Sequence, residues 1–142
     1  MFYEVSKENP TRFDIVDDDV TTCFLCEKII ERTFNTPNIT SYLKPVEALT
    51  FFKSLKKEEM AQTVIFIDLN MPVLNGWNLV REIEKLDQDI RQELLIFILS
   101  SSIDTSDIQR GKTNPIILGY FVKPLVEEHL LEVMEFTRLM LC

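Results

Sequence analysis

The fold of this chain is decided by residues 63–72, which read Thr-Val-Ile-Phe-Ile-Asp-Leu-Asn-Met-Pro. The run from Val64 to Ile67 is short, unbroken and apolar, which is typical of a strand buried on both faces of a parallel sheet. Asp68 follows where that strand should end, and Pro72 cannot continue a strand ladder. Ligands bind at the carboxyl ends of strands in open parallel sheets, so Asp68 lies where chemistry commonly occurs. Taken alone, Asp68 is equally compatible with a role as the cap of the next helix.

Strand-like and helical segments alternate along the whole chain. The patterns predict strands at residues 12–16, 39–43, 63–69, 94–99 and 120–122, and helices at residues 20–34, 46–57, 77–86, 104–113 and 126–141. This alternation predicts a doubly wound α/β fold, with a five-stranded parallel sheet covered on both faces by helices. We assign residues 1–10 to an N-terminal extension and residues 11–142 to one domain.

Two of the predicted helices carry specific expectations. In the first helix, the apolar stripe that includes Val20, Phe24 and Leu25 is predicted to belong to the core. The fourth helix is polar, with Ile108 as its one apolar anchor, which predicts a weakly held element.

The composition is that of a globular chain with acidic excess. The chain has 142 residues, of which 46% are apolar, and a formal charge of −8 at pH 7. This length is sufficient for one domain with a sizeable core. The negative charge argues against direct binding of nucleic acid, because no basic field would attract phosphates. No apolar run approaches membrane-spanning length, and the N-terminus lacks the pattern of a signal peptide.

The cysteine content favours a reduced, cytoplasmic setting, since three cysteines cannot all pair. Cys23 and Cys26 have CxxC spacing, but they fall within the helical pattern of the first helix. No second pair of Cys or His residues completes a tetrahedral metal site. We therefore interpret both as helix interior rather than as a redox or zinc site.

Chemically capable side chains follow four of the five predicted strands. The first strand is followed by Asp17 and Asp18, and the third by Asp68. The fourth ends in Ser100 and the fifth in Lys123. Because the carboxyl ends of parallel strands meet at one edge, we expect three carboxylates, a hydroxyl and an ammonium to converge there.

A divalent cation would remove the cost of this acidic cluster. Two unit charges about 4 Å apart repel by roughly 4 kcal/mol at an effective dielectric near 20. Oxygen-only ligands favour Mg²⁺ or Mn²⁺. Asp68 is then placed to attack a phosphoryl group, while Lys123 and the Ser100 hydroxyl hold its other oxygens. The product would be an aspartyl phosphate.

At these residues the chain resembles the receiver domain of two-component response regulators. The matching motifs are Ile-Val-Asp-Asp-Asp at residues 15–19, Ile-Asp-Leu-Asn-Met-Pro at 67–72 with Asn-Gly at 75–76, Leu-Ser-Ser at 99–101, and Gly-Tyr-Phe-Val-Lys-Pro at 119–124. Each motif is weak alone, but their order and spacing are specific. The resemblance implies a flavodoxin-like sheet with strand order 2-1-3-4-5.

The resemblance also implies a ligand set for Mg²⁺ and a phosphoacceptor. Asp68 would accept the phosphoryl group and, with Asp18, ligate the metal directly. Asp17 would act through water, and Asn70 would contribute its backbone carbonyl. No organic cofactor is implied.

Three further residues take roles by the same resemblance. Ser100 stands where the family has Thr or Ser, as the hydroxyl that follows the phosphoryl group. Lys123 is the family's lysine, and its bond to Pro124 would be cis. Tyr120 matches the switch aromatic that moves inward when Ser100 moves.

As for partners, the resemblance implies a sensor histidine kinase or a histidine phosphotransfer protein as donor, and an unidentified downstream protein. We expect a stand-alone receiver, not an enzyme acting on a separate substrate, that catalyses only its own phosphorylation and dephosphorylation. Its output surface would be the fourth helix, fifth strand and fifth helix, which is also the face expected for a homodimer.

Three alternatives use the same residues differently. The first is a pseudo-receiver that keeps the fold as an interaction module without phosphorylation. The second is a phosphatase with Asp68 as nucleophile, but haloacid-dehalogenase-like enzymes place an acid where this chain has Asn70. The third is a flavodoxin-like cofactor binder, but no phosphate loop rich in Ser, Thr or Gly follows the first strand. Outside these motifs, we interpret Trp77 as packing, His129 as a surface residue and Asp19 as a helix start.

Overall fold

The computed structural model describes residues 3–4, 11–35, 37–137 and 140–141. Apart from Tyr3–Glu4, the predicted N-terminal extension at residues 1–10 lies outside the described residues. The strands are β1 (Tyr3–Glu4), β2 (Arg12–Val16), β3 (Phe34–Asn35), β4 (Asn38–Tyr42), β5 (Thr63–Ile67), β6 (Leu94–Ser100), β7 (Ile117–Val122) and β8 (Met140–Leu141). The helices are α1 (Val20–Thr33), α2 (Pro45–Ser54), α3 (Gly76–Glu84), α4 (Gln88–Arg91), α5 (Thr105–Thr113) and α6 (Glu127–Met134), with a 3-10 turn at Lys57–Glu59.

The main sheet is parallel and has the order β4-β2-β5-β6-β7. Counted in chain order within that sheet, this is 2-1-3-4-5, so the predicted fold class and strand order are confirmed. Helices α2 and α3 pack on one face of the sheet, and α1 and α6 pack on the other. Of the described residues, none forms a helix long and apolar enough to cross a membrane.

Strand β5 is the centre of the sheet, and all five of its residues are buried. Val64 and Phe66 pack in the core on the α1 and α6 side. Ile65 and Ile67 pack in the core on the α2 and α3 side. Burial on both faces explains why this strand is a continuous apolar run rather than an alternating one.

The predicted core stripe of α1 is wrong for three residues. Val20, Phe24 and Leu25 are 64%, 53% and 54% exposed. The side of α1 that faces the sheet instead carries the four buried residues Cys23, Cys26, Ile30 and Thr33. The helix is apolar on both sides, so periodicity did not separate its packed face from its exposed one.

Burial also decides the state of the two α1 cysteines, which are both free thiols. Burial, followed by the charge of Asp17, raises the pKa of Cys23 to about 11. Burial is the main cause that raises the pKa of Cys26 to about 12. Both side chains therefore remain protonated and unreactive at neutral pH, as expected for helix interior.

The predicted last helix, residues 126–141, is too long. Helix α6 ends at Met134, and residues 140–141 form β8, which pairs antiparallel with β1. β1 also pairs in parallel with β3, so these three strands form a second, small sheet. Backbone pairing with β1 thus takes the place of the last helical turn that the apolar pattern predicted. Leu139, which was assigned to that helix, lies outside the described residues. Between α3 and β6, the chain forms the short helix α4.

Gly76 marks the closest approach of α3 to the end of β5. A Cβ atom at this position would lie 2.4 Å from the Asp68 carbonyl oxygen and 2.8 Å from Leu69 Cα. These are backbone atoms, so no side chain can turn away to relieve the clash. We expect Gly76→Ala to lower the free energy of unfolding by about 2–3 kcal/mol, measured by urea denaturation.

Gly119→Ala is the matched control for that substitution. The three atoms nearest to its Cβ would be ring atoms of Phe97 and Phe121, at 3.1 Å or more. We expect a smaller loss of stability than for Gly76→Ala. Equal losses at the two glycines would contradict a specific backbone clash at Gly76.

Candidate functional site

Four strand ends bring their polar side chains together at the carboxyl edge of the sheet. Asp17 follows β2, Asp68 follows β5, Ser100 ends β6 and Lys123 follows β7. Asp17, Asp68 and Ser100 are all buried, with 2%, 6% and 0% of their surface exposed. The Lys123 Nζ atom lies 2.7 Å from Asp17 Oδ2 and 3.5 Å from Asp68 Oδ1. One ammonium group therefore bridges carboxylates from two neighbouring strands.

Asp17 uses its two carboxylate oxygens for different partners. Oδ2 accepts from Lys123, and Oδ1 accepts a hydrogen bond of 2.9 Å from the Asp19 backbone N–H. Asp19 is itself the N-cap of α1, and its side chain accepts from the backbone N–H of Thr21 and the hydroxyl of Thr22. The interpretation of Asp19 as the helix start is therefore confirmed.

Three carboxylates form a group that could hold a metal ion. Oxygen atoms of Asp17, Asp18 and Asp68 all lie within 4.8 Å of one another. Asp18 is exposed and makes no hydrogen bond or ion pair with the described residues. Asn70, the fourth predicted ligand, is exposed two residues after Asp68. All of these candidate ligands are oxygen atoms at the carboxyl edge of the sheet, and oxygen ligands are those that Mg²⁺ prefers.

The charges of the site shift the pKa values of its buried groups. Burial, then the neighbouring charge of Asp17, raises the pKa of Asp68, while Lys123 opposes that rise. Burial alone would lower the pKa of Lys123, but hydrogen bonding to Asp17 and the charges of Asp17 and Asp68 raise it overall. A cation beside Asp68 would favour its ionised form for the same reason that Lys123 does.

The Ser100 hydroxyl lies inside the site and has one partner in the loop after β6. It accepts a 3.1 Å hydrogen bond from the Ser102 backbone N–H. The Tyr120 hydroxyl donates to the Ser102 carbonyl oxygen at 2.8 Å. The two predicted switch residues, Ser100 and Tyr120, therefore contact the same residue of the β6–α5 loop.

The β7–α6 loop completes the edge. The Lys123–Pro124 peptide bond is cis, as the resemblance implied. His129 was interpreted as a surface residue, and this is only partly correct. Its ring stacks on Phe121 with a centroid distance of 4.4 Å, and its Nδ1 accepts from the Val126 backbone N–H at 3.1 Å. His129 thus supports the start of α6 through a ring nitrogen that accepts a hydrogen bond, and burial lowers its pKa.

Sequence reasoning missed one set of contacts beside the site. Trp77 was interpreted as packing only, and Asp107 and Ser102 were given no role. The Trp77 indole N–H donates to Asp107 Oδ1 at 3.3 Å, and the Ser102 hydroxyl donates to Asp107 Oδ2 at 2.7 Å. The one available clue was the polar character of the fourth predicted helix, which implied anchors other than apolar side chains.

Val73 has an unusual backbone in the loop between Asp68 and α3. Its φ is 70°, and its side chain is 97% exposed. A left-handed conformation costs a residue with a Cβ roughly 1–2 kcal/mol, and a β-branched residue is rare there. We expect Val73→Gly to raise the free energy of unfolding by about 1 kcal/mol, measured by urea denaturation. A loss of stability would contradict this account, since no buried contact is removed.

Comparisons with a family model, a curated relative and solved structures all point to the same protein family. The model of the response regulator receiver domain matches residues 14–135. The two-component response regulator ARR14 of Arabidopsis thaliana is 27% identical over 126 residues, which are 84% of this chain but 28% of that protein. The chain therefore spans less than a third of the length of this curated relative.

Solved structures agree in fold over most of the chain. A response regulator receiver protein from Dyadobacter fermentans is 30% identical, with a TM-score of 0.80 over 88% of this chain and 95% of that one. A two-component response regulator from Cytophaga hutchinsonii is 27% identical, with a TM-score of 0.80 over 88% and 94%.

Proposed function

We propose, from the premise that this chain belongs to the response regulator receiver domain family, that it takes a phosphoryl group from a phosphohistidine onto Asp68. Receiver domains are signalling phosphoacceptors rather than enzymes with a separate substrate. The observation that carries the proposal is the position of Lys123, 3.5 Å from Asp68 and 2.7 Å from Asp17 at one sheet edge.

The chemistry assigned to Asp68 is an in-line displacement. One carboxylate oxygen forms a bond to phosphorus while the P–N bond of the donor breaks. The electron pair of that bond stays on the imidazole nitrogen, and the imidazole leaves as the neutral ring when its other nitrogen carries a proton. Lys123 stabilises charge on a phosphoryl oxygen, because its ammonium already lies within reach of Asp68.

Mg²⁺ is the cofactor that the acidic group fits. Asp18 and Asp68 would be direct ligands, Asp17 would act through water, and Asn70 would add its backbone carbonyl. When bound, the ion supplies neutralisation of the negative charge on the phosphoryl oxygens. The open position of Asp18 supports its role, since its carboxylate has no partner to give up among the described residues.

The Ser100 hydroxyl is the group proposed to report the modification. Its hydrogen can turn toward a phosphoryl oxygen while its oxygen still faces the Ser102 N–H. A new bond there would favour one of two arrangements of the β6–α5 loop, which is a shift of population rather than a new fold. The surface that changes is the face of α5, β7 and α6, and a homodimer through that face stays a prediction.

The donor is proposed to be a sensor histidine kinase or a histidine phosphotransfer protein. Such a partner must lie over the carboxyl edge to bring phosphorus to Asp68. Beside that edge, α1 exposes Val20, Phe24 and Leu25, which is apolar surface that a partner helix could cover. A downstream protein partner stays a prediction from the resemblance, and a cytoplasmic location stays a prediction from the cysteine content.

Removal of magnesium tests the proposal directly. We expect protein incubated with Mg²⁺ and a small phosphodonor to gain the mass of one phosphoryl group, measured on the intact chain. Chelation of the metal with EDTA should reduce the rate of that gain by at least about tenfold, because the acidic group would repel the donor. Absence of any mass gain with Mg²⁺ would instead favour the pseudo-receiver, which keeps the fold without the chemistry.

A further inference from the structure

We propose that Asp107 is a positioning residue that couples the first turn of α3 to helix α5 and, through Ser102, to Tyr120. This inference rests on the proposed function, since it describes how the phosphorylation state of Asp68 reaches α5. It concerns residues other than the acceptor, the metal ligands and the two predicted switch residues. We call the three residues Trp77, Ser102 and Asp107 the latch.

Helix α5 needs such a device because its side chains are poorly anchored. Gly111 is its only buried residue, and Ile108, its one apolar side chain of any size, is half-exposed. A helix with so little buried surface is held mainly by polar contacts and moves when those contacts change. The position of α5 is therefore decided by the groups that bind it from neighbouring elements.

Asp107 makes two of those contacts with one carboxylate. Oδ1 accepts from the indole N–H of Trp77, which is buried in the first turn of α3. Oδ2 accepts from the hydroxyl of Ser102 in the β6–α5 loop. One turn along α5, the guanidinium of Arg110 lies 4.5 Å from the centre of the Trp77 ring. The latch therefore joins the first turn of α3 and the β6–α5 loop to helix α5.

Ser102 connects the latch to the site itself. Its backbone N–H donates to the Ser100 hydroxyl at 3.1 Å, and its carbonyl accepts from Tyr120 at 2.8 Å. When Ser100 follows a phosphoryl oxygen, Ser102 must adjust. Because the Ser102 side chain is bonded to Asp107, α5 moves with it. Without Asp107, the loop would respond and the response of α5 would be smaller.

Gly111 provides a second link between helix α5 and Tyr120, in addition to the hydrogen bond through Ser102. A Cβ at position 111 would lie 2.9 Å from Tyr120 Cδ2, so the tyrosine ring lies directly against α5. Because the ring lies this close to the Gly111 backbone, a displacement of α5 toward β7 would displace the ring as well. The latch thus positions two groups that contact Tyr120: helix α5, against which its ring packs, and the Ser102 carbonyl, which its hydroxyl binds.

The single tryptophan of the chain reports on the latch. We would compare wild type with Ser102→Ala, Asp107→Ala and the control Gln109→Ala, an exposed position of α5. Each protein is incubated with Mg²⁺ and a small phosphodonor, and the intact mass gives the extent of phosphorylation. At equal extent, Trp77 emission and hydrogen exchange of the α5 amides are measured before and after modification.

Ser102→Ala is the decisive variant, because it removes the hydroxyl that donates to Asp107 but leaves the Trp77–Asp107 hydrogen bond in place. It also removes the acceptor of the Asp104 backbone N–H, so agreement with Asp107→Ala assigns the effect to the Ser102–Asp107 bond. We expect wild-type mass gain in both latch variants, with changes in emission and exchange at least threefold smaller than in wild type. Gln109→Ala should respond like wild type. If Asp107→Ala does not fold, as judged by circular dichroism, Ser102→Ala alone decides the outcome.

Three results would overturn the inference. The first is a full-sized response in Ser102→Ala and Asp107→Ala. The second is fully phosphorylated wild type with no change in emission or α5 exchange. The third is loss of mass gain in Asp107→Ala alone, which would place Asp107 in the acceptor chemistry. Failure of the proposed function is recognised separately, because then wild type itself gains no mass.

Discussion

Protein that carries Asp68→Asn is expected to gain no phosphoryl group under conditions that phosphorylate wild type completely. The amide has nearly the shape of the carboxylate but no ionised oxygen to attack phosphorus, so the loss should be complete rather than partial. The substitution also removes one of the three charges of the acidic group, and we expect Mg²⁺ affinity to fall by about tenfold or more. Intact mass measures the first effect, and a magnesium titration measures the second.

Asp19→Asn is the matched control for this variant. Asp19 is two residues from Asp17, and its side chain caps α1. Asparagine caps helices as well as aspartate does, so this change removes a nearby charge without removing an acceptor or a ligand. It should gain mass at the wild-type rate. A mass gain in Asp68→Asn equal to that of wild type would place the phosphoryl group on another residue and reject the assignment.

Lys123→Met is expected to slow phosphoryl transfer by about 10²–10³-fold, the loss typical of removing one donor that faces developing negative charge. The ammonium lies 2.7 Å from Asp17 and 3.5 Å from Asp68, and methionine offers no donor in its place. Lys123 also opposes the rise in the pKa of Asp68. Its loss should raise the pKa of Asp68 further. When the solution is acidified, the rate of phosphorylation should therefore begin to fall at a higher pH in Lys123→Met than in wild type.

The same variant separates transfer from metal binding. Three carboxylates without their ammonium attract a cation more strongly, so we expect Lys123→Met to bind Mg²⁺ more tightly while it reacts more slowly. Lys112→Met, an exposed lysine on α5, should alter neither property. Weaker Mg²⁺ binding in Lys123→Met would show that the lysine acts on the structure of the site rather than on charge.

Much of the architecture could be predicted because a strand that is buried on both faces is an unbroken run of apolar residues. All five residues of strand β5 are buried, and the four that follow Thr63 are apolar without interruption. The strand ends were equally informative: a parallel sheet puts them at one edge, which brings Asp17, Asp68 and Lys123 together from segments far apart in the chain. The order and direction of the strands were therefore enough to predict that these residues are close in space.

What could not be predicted depends on which side of an element meets a neighbour. Phe24 has the periodicity of a core residue but is exposed, because α1 is apolar on both sides and only packing selects one of them. Trp77 and Asp107 are 30 residues apart on different helices, and neither carries a local pattern that identifies the other. The end of α6 was missed because pairing between β8 and β1 is a contact between opposite ends of the chain.

The hydrogen bond between the Tyr120 hydroxyl and the Ser102 carbonyl fixes the tyrosine ring to the β6–α5 loop. One such bond contributes roughly 1 kcal/mol net. Tyr120→Phe should therefore change the ratio of two ring positions by about fivefold and leave the acceptor chemistry at Asp68 intact. The sensitivity of the receiver is thus adjustable at a single oxygen atom remote from the phosphoryl group.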